Sequence, residues 1–263
     1  MEHEVAKEGE FSTLDLMAVC GSRAIGNGEV VFIGTGLPMI AALLAKRTHA
    51  ARAKIVFEAG FIDSNAREIA LSIADSRLGY RASGAIGLIE TLGIMCQGGH
   101  VDVGFVGAAQ IDRYGNINTT YIGSFEKPQV RLPGSGGGND IISSAKRIVV
   151  IMTHEKRKMV KKLDYLTSPG YLDGPRGREK AGLVGGGPSL VVTNLCQMDF
   201  DPETKRMRLA TLHPGVSVQQ IKESTEFDLI VPKKVPTTDF PTCEELSLLR
   251  KIDPTGIYIP RSK

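Results

Sequence analysis

Lys54-Ile-Val-Phe-Glu58-Ala-Gly60 is a short apolar run that ends abruptly in a carboxylate, a small residue and a glycine. The apolar part reads as a buried parallel strand, which places Glu58 where the chain leaves the sheet. In open α/β sheets, ligands bind outside the carboxyl ends of the strands. A glutamate there has no obvious packing purpose. Taken alone, it is either a structural group, capping the next helix or pairing with a basic residue, or a carboxylate nucleophile. The second role requires backbone N–H groups nearby to hold an oxyanion. Gly134-Ser-Gly-Gly-Gly138-Asn139 is a candidate source, because adjacent glycines let a backbone aim N–H groups at a ligand. The same loop also reads as a flexible surface turn.

Outward from that stretch, strands and helices alternate. Ser12 or Thr13 is suited to cap a helix whose apolar face holds Leu14, Met17, Ala18, Ala24 and Ile25, stopping at Gly26-Asn27-Gly28. Val30–Ile33 follows as a buried strand, then Gly34-Thr-Gly36 and a helix with Pro38 near its start that runs through Ala45. After the strand at Ile55–Phe57, a helix is expected from Asn65 to Ala74. Asp102–Val106, Arg147–Met152 and Ser189–Thr193 read as further strands, and Cys243–Lys251 as a helix. Asp112-Arg-Tyr-Gly115-Asn116 reads as a tight turn with glycine at its strained position. Thr167–Pro188 is irregular. The alternation implies an α/β fold with a mostly parallel, open sheet covered by helices, in one domain over residues 1–263.

Composition narrows the function. The 263 residues are 42% hydrophobic and 23% charged, with 30 glycines gathered at turns, as suits a globular α/β protein. A net charge of +3 is too small to argue for nucleic acid. No apolar stretch has the length of a membrane span, and the polar, acidic N-terminus resembles neither a signal nor a transit peptide. Cys20, Cys96, Cys196 and Cys243 form no C-x-x-C pair, so free, mostly buried thiols in a cytoplasmic protein are expected. No permanent cofactor is expected.

Several familiar sites are missing. There is no G-x-x-x-x-G-K-[ST] loop, no H-E-x-x-H and no metal-ligand spacing. Gly34-Thr-Gly36-Leu-Pro-Met39 starts like a dinucleotide fingerprint but carries Met39 in place of its third glycine. Gly134-Ser135-Gly136 lacks the central serine of a G-x-S-x-G elbow. His154-Glu-Lys-Arg-Lys158 with Lys161-Lys162 reads as a solvated helix face, or else as a patch that draws an anion. His154 by itself reads as a structural hydrogen-bonder. Gln110 and the turn-rich Thr167-Ser168-Pro-Gly170 are candidate pocket residues.

Several of these segments, in this order, resemble the small (β) subunit of the class I CoA-transferases, and within it the glutaconate CoA-transferase type. The resemblance spans nearly the whole chain. It rests on Gly34-Thr-Gly-Leu-Pro38, Phe57-Glu-Ala-Gly60, Gly107-Ala-Ala-Gln-Ile-Asp112, Tyr114-Gly-Asn-Ile-Asn118, Gly134-Ser-Gly-Gly-Gly-Asn139, His154-Glu-Lys-Arg157, Asp164-Tyr-Leu-Thr-Ser-Pro-Gly170 and Asp173-Gly174. The broader class has Ser-Glu-Asn-Gly around its nucleophile, whereas Phe57-Glu58-Ala59-Gly60 fits the glutaconate-type branch.

The resemblance implies that Glu58 is the covalent nucleophile and that Gly136, Gly137 and Gly138 supply the oxyanion donors. It implies ping-pong transfer of coenzyme A, as substrate, from an acyl-CoA to a free carboxylic acid such as glutaconate. It also implies a homologous α subunit in a hetero-oligomer. The same branch includes proteins that hydrolyse or decarboxylate CoA esters after losing the glutamate. Its presence here argues for transfer, with an acyl-CoA hydrolase as the alternative. A noncatalytic scaffold subunit has no use for Glu58.

Overall fold

The computed structural model of the chain describes residues 4–64 and 68–260. Helix α1 (Thr13–Arg23) is followed by β1 (Val30–Ile33), α2 (Leu37–Arg47) and β2 (Lys54–Phe57). The chain then makes two short strands, β3 (Phe61–Ile62) and β4 (Gly84–Ala85), a π-helical segment at Glu90–Gln97, and β5 (Val103–Val106). Two hairpins follow, β6 (Gln110–Ile111) with β7 (Ile117–Asn118), and β8 (Tyr121–Gly123) with β9 (Pro128–Arg131). The remainder is α3 (Gly138–Ser144), β10 (Arg147–Ile151), α4 (Gly177–Lys180), β11 (Pro188–Val192), β12 (Cys196–Phe200), β13 (Met207–Leu212), α5 (Val218–Glu223) and α6 (Cys243–Ile252).

Among the described residues, nine strands form one sheet in the order β13-β12-β11-β10-β5-β1-β2-β3-β4. Its centre, from β11 to β2, is parallel, and antiparallel strands extend both edges. This is the α/β architecture read from the alternation. Side chains alternate cleanly along the central strands. Val31, Ile33, Ile55, Phe57, Val103, Phe105, Val149 and Ile151 pack into one core with α1, α2 and α6. Phe32, Val56, Ile148 and Val150 face the opposite core with Ile141 and Ile142 of α3. That parity aims the position after Phe57 toward the α3 side. Close packing there depends on Gly104 of β5, where a Cβ would meet Ile141 Cγ2 at 2.3 Å.

The helices on the first face are tied end to end. Ser12 and Asp15 form a capping box at the start of α1, and Thr242 and Glu245 form another at the start of α6. Each box carboxylate also pairs with a basic residue of the other helix: Asp15 with Arg250, and Glu245 with Arg23. The elements expected at Ser12–Ile25, Val30–Ile33, Pro38–Ala45, Ile55–Phe57, Arg147–Met152 and Cys243–Lys251 therefore form, within a few residues of the expected limits.

Two expectations are corrected. Of the helix expected at Asn65–Ala74, residues 65–67 lie outside the described residues, and 68–74 are irregular. There the Leu71 and Ala74 N–H groups donate to the side chains of Asp75 and Ser72 instead of to helical carbonyls, a competition that Ser and Asp win readily. The basic run after β10 is not a helix face either. The Lys158 carbonyl accepts from Ile111 N–H and the Val160 N–H donates to the Ile111 carbonyl, so this stretch pairs beside β6. Among the described residues, no helix is long and apolar enough to cross a membrane. None of their His, Cys, Asp and Glu side chains gather into a metal-holding group.

Candidate active site

Glu58 lies in a tight turn closed by the Gly60 N–H donating to the Phe57 carbonyl at 2.8 Å. The turn ends β2 at its carboxyl end, so Glu58 is presented at the sheet's ligand edge, half-buried. Gly60 makes the turn possible. Its φ is +93°, and a Cβ there would lie 1.8 Å from the Ile86 carbonyl oxygen, so both backbone angle and space exclude a side chain.

The glycine loop arrives from the opposite wall. Gly134 is fixed to Thr119 by two hydrogen bonds: its N–H donates to the Thr119 carbonyl, and the Thr119 hydroxyl donates to its carbonyl. Ser135 to Gly138 then close a turn that starts α3. The Gly137 N–H donates to Glu58 Oε1 at 3.2 Å, joining residues 79 apart in the chain. Leu92, from the π-helical segment, packs behind this contact, and Gln97 of the same segment donates to Asp140 of α3.

Between these walls lies a cavity of about 320 Å³, lined by Glu58, the apolar side chains of Phe32, Phe105, Ile117, Ile141 and Ile142, and the polar groups of Thr119, Ser135 and Ser168. Its size falls at the lower end of ligand sites, roughly 300–1,000 Å³. The walls are mostly apolar, and among the described residues lining it the only charge is Glu58. The arrangement is a carboxylate with a backbone N–H donor in a mostly apolar site without a competing charge among the described lining residues. Such a carboxylate is suited to attack an electrophilic carbonyl, and the N–H to hold the oxygen that becomes negative.

The sequence-derived candidates are distributed unevenly around this cavity. Glu58, Gly138 and Ser168 line it, Gly137 contacts Glu58 directly, and Gly136 has φ +48° with its Cβ position 3.7 Å from Glu58 Oε1. Gln110 and Gly170 lie behind the wall. The Gln110 amide donates to Asp164 and its oxygen accepts from Asn118, which engages it in a network away from the cavity. Gly170 donates to Asn116 and abuts the Gly115 turn, where a Cβ would be 2.3 Å from the Gly115 carbonyl carbon. Ser168 is only 3% exposed and presents itself to the cavity.

Thr119 and Leu92 are placed by the fold and lie in no motif quoted from the sequence, whereas Thr167 and Asn139 lie in quoted segments that gave neither of them a role of its own. Thr167 accepts from the Thr119 N–H through its hydroxyl and from Asn139 through its carbonyl, which ties the Ser168 wall to the start of α3.

His154 takes no part in this cavity. It is buried, and burial lowers its pKa to about 4, so it is neutral at physiological pH. The Thr225 hydroxyl donates to the Ile221 carbonyl, so it accepts from His154 Nε2, which carries the proton. Cys20, Cys96 and Cys196 are buried and Cys243 is exposed. Burial pushes each of the three buried thiols up to about 12, far from a reactive thiolate.

The family profile described as Coenzyme A transferase matches residues 15–224. The chain is 40% identical over 243 residues to the B subunit of 3-oxoadipate CoA-transferase from Pseudomonas knackmussii, covering 92% of this chain and 94% of that one. It is also 40% identical over 255 residues to the B subunit of glutaconate CoA-transferase from Acidaminococcus fermentans, covering 95% of each. The crystal structure of the Acidaminococcus fermentans glutaconate coenzyme A-transferase superimposes with a TM-score of 0.90 over 96% of this chain and 99% of that one, at 37% identity.

Proposed function

The chain belongs to the coenzyme A transferase family, as a B-type subunit, and from this premise we propose that Glu58 is its covalent nucleophile. The observation that carries the reading is the Gly137 N–H on Glu58 Oε1 inside an apolar cavity at the end of β2. A carboxylate held there meets a thioester carbonyl and an oxyanion donor together.

The Glu58 carboxylate attacks the acyl-CoA carbonyl, and the tetrahedral adduct expels CoA thiolate to leave a mixed anhydride. The thiolate then attacks the Glu58 carbonyl, releasing the first acid and leaving CoA as a thioester on Glu58. An incoming carboxylate attacks that thioester, again expelling thiolate and forming a second anhydride. Thiolate attack on the new acyl carbonyl frees Glu58 and the product acyl-CoA. No proton is consumed overall. The Gly137 N–H is suited to the oxyanion of these adducts, where one such donor is typically worth about 3 kcal/mol. Both covalent intermediates need water kept away, which the apolar walls begin and the partner subunit completes.

Both named relatives act on dicarboxylic acids, so the acceptor proposed here is a short dicarboxylate of the glutaconate or 3-oxoadipate kind. The distal carboxylate then takes its charge complement from a homologous α subunit, since no cation is found among the described residues that line the cavity. Leu88, Ile89 and Ile94 flank Leu92 in the chain and are exposed, Ile89 by 82%, as suits a face covered in a heteromer.

The test is CoA exchange between a panel of acyl-CoAs and free acids, using the chain co-expressed with its partner. Borohydride or hydroxylamine trapping runs alongside. Glu58→Ala is expected to abolish exchange and the trapped adduct together. Exchange by Glu58→Ala at the native rate, with no adduct mapped to Glu58, would sink the mechanism. Release of free CoA without any acceptor acid would instead identify a hydrolase.

A further inference from the structure

Arg178 of α4 is 7% exposed and has no carboxylate against it. Its five N–H groups all donate to main-chain carbonyls. Nε donates to Gly185 at 2.9 Å, Nη1 to Pro169 and Gly170 at 3.1 and 3.0 Å, and Nη2 to Ile142 and Ser143 at 3.1 and 2.9 Å. A guanidinium has five donors in a rigid fork, and here every one is used. Burial lowers its pKa, yet an arginine remains charged.

The three segments that it joins matter for the cavity. Ile142 and Ser143 form the last turn of α3, whose first turn carries the Gly137 N–H to Glu58. Pro169 and Gly170 directly follow Ser168 of the cavity wall. Gly185 donates back to the Ser143 carbonyl, so the third segment braces the first.

Helix α3 is short and has no side-chain cap at its start and no basic residue in its last turn. Arg178 supplies what it lacks, bonding orphan carbonyls and placing a cation at the negative end of the helix dipole. The positive end is then left facing the Glu58 carboxylate. The other tie between α3 and the Ser168 strap is at the opposite end, from Asn139 to the Thr167 carbonyl.

We propose that Arg178 is a positioning residue for the transfer reaction: from behind the cavity it locks α3 and the Ser168 strap together, and so sets the Gly137 N–H against Glu58. The proposal rests on the catalytic reading of Glu58. It assigns the guanidinium a geometric task that an ammonium cannot perform, since lysine has three donors on a flexible stem.

The test compares Arg178→Lys and Arg178→Met with wild type, each co-purified with the partner subunit. Both variants are expected to lower kcat at least about tenfold while the KM for acyl-CoA stays within about threefold, because the donor is misplaced and the binding surface is not. Hydrogen exchange should rise in peptides covering 134–145 and 167–172 and stay unchanged in the β12–β13 hairpin. Arg178→Lys should restore little, since charge without the fork is not enough. Native kcat per folded site in Arg178→Lys, or exchange raised evenly along the chain, overturns the proposal.

If neither variant assembles, native-state exchange of the wild-type complex in low urea decides. Segments 134–145 and 167–172 must then open together, with a common urea dependence, and separate opening overturns the coupling. Glu58→Ala measured in the same series separates the two readings. If it keeps native exchange, the Glu58 assignment fails, whereas a dead Glu58→Ala with a fully active Arg178→Lys removes only the role of Arg178.

Discussion

Gly137 has φ −75° and ψ −1°, a conformation open to any L-residue, yet a Cβ there would stand 3.0 Å from both Glu58 Cδ and Leu92 Cδ2. Gly137→Ala therefore leaves the backbone unstrained and pushes the Glu58 carboxylate. Its expected signature is stability within about 1 kcal/mol of wild type and kcat reduced by roughly a hundredfold, the scale of a 1 Å misplacement. Urea unfolding and steady-state exchange check both halves, and an unchanged kcat would remove the Gly137 contact from the mechanism. Gly60 differs, because its positive φ and the Ile86 carbonyl bar a side chain on folding grounds. The sequence alone already marks Glu58 and the glycines as unusual. It leaves open whether Glu58 caps a helix, and the N–H that it meets belongs to a loop 79 positions away.

At the scale of elements, α1 and α6 show how local signals and tertiary contacts reinforce one another. The boxes at Ser12–Asp15 and Thr242–Glu245 start the helices, and the same carboxylates then bind Arg250 and Arg23. Asp15 is 1% exposed. Burial alone would raise its pKa, but hydrogen bonds from Arg250 and Ser12 outweigh that and hold it below the usual carboxylate range. A lowered carboxyl pKa contributes stability above its unfolded value and loses it as pH falls through the folded one. Arg250→Gln leaves that carboxylate its Ser12 hydrogen bonds but removes its charge partner, and because Arg250 is partly exposed it is expected to cost roughly 2 kcal/mol near pH 7. The gap from wild type should narrow as pH drops below about 4. Urea midpoints across that range test it, and a gap independent of pH contradicts the pairing. Capping motifs of this kind are readable because they act within a few residues. The helix expected at Asn65–Ala74 fails over 68–74 for the converse reason, since Ser72 and Asp75 capture N–H groups locally.

For the whole molecule, the half-exposed Glu58 and the exposed Leu88, Ile89 and Ile94 fit a cavity that a second chain completes. The chain purified alone is therefore expected to exchange CoA at least about a hundredfold more slowly than the co-expressed complex, since water exclusion and the second carboxylate site are missing. Assaying both preparations at equal Glu58 concentration decides, and full activity from the single chain refutes the dependence. The sequence by itself determined the α/β alternation, the strand that delivers Glu58 and the starts of α1, α2 and α6. Each of these follows from hydrophobic period, turn chemistry and caps acting over a few residues. Only the tertiary structure decided that Gln110 and Gly170 stand behind the cavity wall, that His154 is buried away from the cavity, and that Arg178 braces α3. Those outcomes depend on which distant carbonyls and side chains share a buried space, and a linear spacing carries no record of that.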